Sequence, residues 1–329
     1  MERTSDAPAV QTRGLTKSYK TAVAVDSLNL TVPAGSIFGF LGPNGAGKTT
    51  TIRMLMGLAR PTAGQALIFG IPTGPDSAAK RRIGFLPDVP AFYGWMKASE
   101  YLEFAGGLFG LDGPLLKQRV GELLDFTGLT GVKTRVGGFS RGMKQRLGLA
   151  QALINRPDLV ILDEPTSALD PIGRREVLDA IKALGQNTST TVFFSTHILA
   201  DVERVCRRVA ILDRGHLVAD ELLHDLKARY ARPIFLVTLA NGYGRQAAEL
   251  AAALSGLEWV EKAEAAGEAG EGAEAGSGAG SVIRIVAREA ETAQRAIPKF
   301  IVERGLPLAR FETAEPTLED VFMRLVNKP

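Results

Sequence analysis

The chain has 329 residues, 45% of them hydrophobic, enough to fill one large core and a smaller one, so disorder is not its default state. Its 39 basic and 36 acidic residues leave a formal charge of only +3 with no basic arm, and no nucleic-acid partner is expected. A single cysteine, Cys206, rules out an internal disulfide and fits a reducing compartment, so the cytoplasm is the expected location and packing that residue's expected role.

Met1 to Val10 has no long apolar stretch behind a basic end, and no later run is long enough to cross a bilayer, so any action on a membrane is expected from outside it. From Gly14 to about Leu226, short apolar strand-like runs alternate with helical patterns, which predicts an α/β domain with a largely parallel sheet over residues 10–228. The run Ser36 to Leu41 leads into Gly42-Pro43-Asn44-Gly45-Ala46-Gly47-Lys48-Thr49, followed by a helical pattern. Strand, glycine-rich loop and helix form the setting of a phosphate loop. The glycines let backbone N–H groups curl towards phosphates, and the helix adds its positive end. Lys48 is expected to reach the outer phosphates and Thr49 to place its hydroxyl on magnesium.

Tyr101 to Leu153 reads as helical, with Leu102, Phe104, Leu115, Leu123, Leu124, Phe126 and Leu147 at helical spacing, predicting a helical insert over about residues 90–155. Within it, Phe139-Ser140-Arg141-Gly142-Met143 opens a helix, with Ser140 as N-cap and Gly142 leaving the backbone open to an anion. Leu159 to Leu162 is an apolar strand ending in Asp163 and Glu164, the paired carboxylates that phosphoryl transfer needs. Asp163 is assigned to magnesium and Glu164 to the attacking water. Thr190 to Thr196 ends in His197. In open α/β sheets ligands collect at the carboxyl ends of strands, so these three runs point to one pocket.

After Tyr230 the pattern changes. Pro233 to Leu239, Arg245 to Leu254, Leu257 to Lys262, Val282 to Ala287, Ala290 to Glu303 and Leu308 to Thr313 read strand, helix, strand, strand, helix, strand. This predicts a small α+β domain over residues 232–329, ferredoxin-like in order, although Pro298 falls inside the second helix. A closing helix spans Leu318 to Val326, with Thr317 as its cap and Asp320 in the capping-box position. Ala263 to Ser281, almost wholly Gly, Ala, Glu and Ser, is expected to be a mobile hairpin loop.

Over most of Gly14 to Leu226 these motifs resemble the ATP-binding cassette (ABC) family of transporter ATP-binding subunits. The resemblance implies a phosphate-loop NTPase cassette in which Gly42, Pro43, Asn44, Gly45, Ala46, Gly47, Lys48, Thr49 and Thr50 hold ATP and Tyr19 stacks on adenine. It makes Ser140, Arg141, Gly142 and Met143 the signature segment that completes a partner's ATP site, in a divergent form common in exporter-type cassettes: Arg141 replaces the usual glycine and Met143 the usual glutamine. Ser167-Ala168-Leu169-Asp170 matches the loop that crosses between two cassettes, and His197 the histidine that contacts the terminal phosphate. Where the family usually has a glutamine near magnesium and the attacking water, this chain has Asp88. At about 6 Å and an effective dielectric of about 20, that carboxylate is repelled by one phosphate charge by roughly 3 kcal/mol, while magnesium at similar range attracts it twice as strongly.

The resemblance further implies an ATPase that pairs with a second cassette, expected to be its own copy, and energises separate transmembrane permease subunits from the inner face of the membrane. Phe92, Tyr93, Trp95 and Met96 form either the small core of the helical insert or an exposed groove for a permease helix. Glu315 to Phe322 resembles the end of the accessory domain on drug- and ion-exporting cassettes, which favours export. Two other readings stay open: a soluble cassette ATPase acting on ribosomes or nucleic acid, and a nucleotide-sensing regulatory module.

Overall fold

The computed structural model describes residues 7–20, 22–167, 169–187, 189–240, 242–266 and 281–326. In chain order the elements are β1 (Val10–Tyr19), β2 (Ala22–Val32), β3 (Ile37–Leu41), α1 (Lys48–Leu55), β4 (Ala63–Ile68), β5 (Ile71–Pro72), β6 (Ile83–Leu86), α2 (Ala98–Leu108), α3 (Gly113–Phe126) and α4 (Arg141–Ala152). Then come β7 (Leu159–Asp163), α5 (Pro171–Asn187), β8 (Thr191–Thr196), α6 (Leu199–Val205), β9 (Arg208–Asp213), β10 (His216–Leu222) and α7 (Leu223–Tyr230). The last are β11 (Ile234–Leu239), α8 (Gly244–Ser255), β12 (Val260–Ala266), β13 (Val282–Ala287), α9 (Ala290–Val302), β14 (Leu308–Ala314) and α10 (Leu318–Val326). They fall into two compact units that divide between Asp225 and Leu226.

In the first unit, β7 and β8 are buried at every residue, which suits a parallel sheet covered on both faces, where apolar runs need not alternate. The sheet order is β10-β9-β3-β8-β7-β6, parallel except for the antiparallel edge strand β10. A second, antiparallel sheet runs β2-β1-β4-β5; its β1–β2 hairpin was not anticipated from the largely parallel pattern. One continuous core joins the two sheets: Leu28 and Leu30 of β2, Ile52, Met54 and Leu55 of α1, Phe38 and Phe40 of β3, and Phe193 of β8. The Phe193 ring stacks on Phe38 at 5.9 Å between centroids. Helices α2, α3 and α4 occupy the stretch read as a helical insert. Cys206 is buried against Gly39 and Val202, in surroundings that push its thiol pKa up through burial, in keeping with a packing role.

The second unit is an antiparallel sheet of order β12-β13-β11-β14 with α8 and α9 connecting its strands, the ferredoxin-like arrangement. Helix α9 continues through Pro298 because Ala293, Ile297 and Ile301 form a fully buried stripe, and that packing outweighs the lost backbone donor. One expectation is corrected: Ala263 to Ala266 are not loop but the end of β12. Ala263 lies opposite Ile285 and Ala265 opposite Ile283, so β13 supplies the apolar side of the pair. The Ser255 hydroxyl also bridges the N–H and C=O of Ala263, both at 3.2 Å. The rest of the expected loop, residues 267–280, lies outside the described residues.

The cap of α10 forms as expected. Thr317 donates from its N–H and its hydroxyl to Asp320 Oδ2 at 2.9 and 2.7 Å, and the Asp320 N–H donates back to Thr317 Oγ1 at 3.3 Å. Arg284 Nη2 donates to Asp320 Oδ1 at 2.6 Å. Burial raises the Asp320 carboxyl, but the Thr317 and Arg284 contacts outweigh it and hold the group below its ordinary 3.8. A pKa lower in the folded than in the unfolded state adds stability that is present above 3.8 and lost as pH falls through the folded value. Asp320→Asn is therefore expected to cost about 1 kcal/mol at neutral pH, and the difference from wild type should close in acid, as followed by melting curves.

Candidate functional site

The site follows from strand register. β8 lies between β3 and β7, with Leu41 opposite Thr196 and Asp163 opposite Ser195, so the three parallel strands end level with one another. The chain leaves β3 into Gly42, β7 into Glu164 and β8 into His197, at one edge of one sheet. Two glycines of the loop are required sterically. A Cβ on Gly42 would lie 2.3 Å from the Leu212 carbonyl oxygen; one on Gly47, which has φ +106°, would lie 2.3 Å from the Ala24 carbonyl oxygen. Gly47 is also the N-cap of α1, and with no side chain to cap them the first N–H groups of that helix are available to an anion.

Lys48, 6% exposed, donates from Nζ to the carbonyls of Gly42 at 2.7 Å and Pro43 at 3.3 Å, and lies 3.3 Å from Glu164 Oε1. Glu164 sits just past β7 with φ +49°, a left-handed conformation uncommon outside glycine, and its N–H donates to the Ser195 carbonyl at 3.0 Å. The turn brings its carboxylate between Lys48 and His197, whose N–H lies 3.3 Å and Nδ1 2.9 Å from Glu164 Oε2. Beside this row runs a second. Thr49 Oγ1 donates to Asp163 Oδ2 at 3.0 Å and Ser195 Oγ to Asp163 Oδ1 at 2.6 Å. Burial raises the Asp163 carboxyl, the two hydroxyls oppose that, and the negative charges of Glu164 and Asp88 add to it. A buried carboxylate, a hydroxyl and a local excess of negative charge fit a divalent cation that draws its remaining ligands from phosphate and water.

Ser195 was missed in the sequence; its signal was a hydroxyl directly after the apolar run Val192 to Phe194 and two residues before His197. The other expected site residues lie elsewhere. Tyr19 stands at the β1–β2 turn, 45% exposed, with Lys17 Nζ 4.9 Å from its ring centroid. Ser140 caps α4, accepting from the Met143 N–H at 3.2 Å. Arg141, in the first turn of α4, reaches 3.9 Å from Asp88 Oδ1, so these two half-exposed, oppositely charged side chains face each other. The Ser167 N–H donates to the Glu164 carbonyl at 3.1 Å, the Leu169 N–H to Thr166 at 3.3 Å, and Asp170 Oδ1 accepts from the Gly173 N–H at 2.8 Å. Ala168 lies outside the described residues. In the insert, Phe92 packs edge-on against Tyr101 at 5.0 Å, while Tyr93, Trp95 and Phe104 remain exposed.

A phosphate loop at the end of a parallel strand, acids at the end of the next but one and a histidine between them define a nucleotide-hydrolysing cassette. Residues 25–167 match the family model described as ABC transporter, and residues 222–326 that of the ATP-binding protein DrrA1-3-like C-terminal domain. The chain is 38% identical over 314 residues to the uncharacterized ABC transporter ATP-binding protein YxlF of Bacillus subtilis, covering 95% of this chain and 98% of that protein. It is 36% identical over 320 residues to the bacitracin transport ATP-binding protein BcrA of Bacillus licheniformis, covering 97% of each. Among solved structures, a dimeric ATP-binding cassette in a post-hydrolysis state with ADP and Pi superposes with a TM-score of 0.60 at 26% identity, covering 65% of this chain and 98% of that one. The chain belongs to the ABC transporter ATP-binding proteins. It is an ATP-binding, ATP-hydrolysing transporter subunit with an accessory C-terminal domain, and among the described residues no helix is long and apolar enough to cross a membrane.

Proposed function

We propose that this chain powers export through a separate transmembrane permease, working from the inner face of the membrane as a pair of identical cassettes. The observation that carries the reading is the meeting of Lys48, Thr49, Asp163, Glu164 and His197 at the ends of three neighbouring parallel strands. The loop from Gly42 to Thr50 cradles the phosphates of ATP through the backbone N–H groups that all of its residues but Pro43 carry, and Lys48 exchanges part of its contact with Glu164 for the outer phosphates. Thr49 and Asp163 hold magnesium, which when bound neutralises phosphate charge. Glu164 takes a proton from the attacking water, and His197 orients that carboxylate and faces the terminal phosphate.

Tyr19 supports adenine. Ser140, Arg141, Gly142 and Met143 complete the site of the other copy, and the Ser167–Asp170 segment crosses between copies. Hydrolysis adds negative charge between the paired cassettes and loosens them, which biases the permease between its two facings. Exposed Tyr93, Trp95 and Phe104 are the surface for a permease helix. The outward direction rests on likeness to a daunorubicin/doxorubicin resistance ATP-binding protein of Streptomyces peucetius, 38% identical over 244 residues, because expelling a drug is one way to resist it. In inside-out vesicles carrying the chain with its permease, ATP-dependent accumulation of a transported antibiotic supports export; accumulation only in right-side-out vesicles contradicts it. Co-purification with RNA in place of a membrane protein would contradict the transport role itself.

Asp88 stands between two tasks, close enough to Asp163 to raise its carboxyl and close enough to Arg141 to pair with it. The Arg141 pair is half-exposed and weak, so Asp88 acts chiefly on charge around the attacking water. Asp88→Gln is expected to change turnover by about tenfold while the dissociation constant for ATP stays within about twofold. A change confined to affinity contradicts this placement.

A further inference from the structure

Next to the site lies a second buried charge with no place in the chemistry above. Asp201, in the first turn of α6 and four residues beyond His197, is 1% exposed. Its Oδ2 accepts from Thr166 Oγ1 at 2.5 Å and its Oδ1 from Arg174 Nε at 2.6 Å. Thr166 is as deeply buried as Asp201. A carboxylate removed from water is costly unless both oxygens are well partnered, and such a pair gives little net stability compared with apolar packing. What it gives is position.

The two partners bracket one segment. Thr166 lies immediately before Ser167–Asp170 and Arg174 four residues after it, and the Arg174 N–H also donates to the Asp170 carbonyl at 2.9 Å. On the other side, the backbone carries Asp201 back to His197, whose Nδ1 lies 2.9 Å from Glu164, two residues before Thr166. Glu164, Thr166, Asp201 and His197 thus form a closed ring, joined through two side-chain contacts and two short stretches of backbone.

We infer that Asp201 is a positioning residue: it holds the Ser167–Asp170 segment and His197 in one frame with Glu164. A partner copy that presses on the segment then moves the histidine and the water-activating carboxylate together. The inference rests on the function proposed for Glu164 and for that segment. It predicts that breaking the ring spoils turnover while leaving the phosphate loop intact.

The test uses the full chain with its permease and magnesium-ATP, comparing Asp201→Asn, Thr166→Val, Thr166→Ser and Glu164→Gln. Asp201→Asn and Thr166→Val are each expected to lose at least tenfold in kcat while the dissociation constant for ATP stays within threefold. Thr166→Ser, which keeps the hydroxyl, should turn over like wild type. A double variant carrying Asp201→Asn and Thr166→Val should lose no more than the more damaged of the two single variants, because both changes act on the one Thr166–Asp201 contact. If Asp201→Asn fails to fold, the near-isosteric Thr166→Val carries the test. Turnover within twofold of wild type in Thr166→Val, additive losses in the double variant, a loss in Thr166→Ser, or equal losses of kcat and ATP affinity would each overturn the inference. Hydrolysis surviving in Glu164→Gln would overturn the reading of Glu164 instead. Wild-type turnover in the Asp201 and Thr166 variants beside an inactive Glu164→Gln would overturn the positioning role alone.

Discussion

Lys48→Met is expected to lower ATP affinity by about 100-fold or more and to take turnover to background, while the cassette stays folded. Methionine keeps most of the buried stem and removes the charge together with the donors to the Gly42 and Pro43 carbonyls. That ammonium is held by two loop carbonyls and Glu164 at the mouth of the loop, so it is fixed before any phosphate arrives, and its charge-assisted bonds form at little further entropic expense. Stability should fall modestly, because Glu164 keeps its contacts with His197 when it loses Lys48. Equilibrium titration with a fluorescent ATP analogue and a melting curve separate the two effects. Affinity within threefold of wild type would remove Lys48 from the phosphate site.

Glu164→Gln is expected to act on the opposite step. The amide keeps the shape, the backbone bond to Ser195 and an acceptor for His197, but it cannot take a proton from water. General-base removal costs about 10² to 10⁴ in rate, so turnover should fall on the order of a thousandfold with ATP affinity retained or improved. The left-handed backbone at Glu164 matters here. Glutamine bears it as glutamate does, whereas a β-branched residue would combine loss of the base with strain and confuse the result.

Much of the first unit was legible because its central strands are continuous apolar runs and its loop carries glycines that no other residue replaces. The level ends of β3, β8 and β7, on which the site depends, follow from parallel pairing of those runs. What stayed hidden was pairing between distant side chains. Nothing local in the sequence says that Ser195 shares Asp163 with Thr49, that Asp201 ties Thr166 to Arg174, or that Asp88 faces Arg141. The turn at Glu164 was hidden too, since glutamate has no preference for a positive φ and only the surrounding bonds impose it. In the second unit, alternation in α9 outweighed its proline, while the alanine-rich end of β12 gave no apolar signal because its partner strand supplies the packing.

The most direct measurement is size exclusion with phosphate release, on wild type and Glu164→Gln in magnesium-ATP. The proposed mechanism predicts that the variant stops releasing phosphate and elutes as an ATP-dependent dimer, because ATP bound between two copies holds them closed and only hydrolysis lets them part. Hydrolysis at the wild-type rate would contradict the role of Glu164, and a variant that never pairs, even with its membrane partner present, would contradict the two-cassette mechanism.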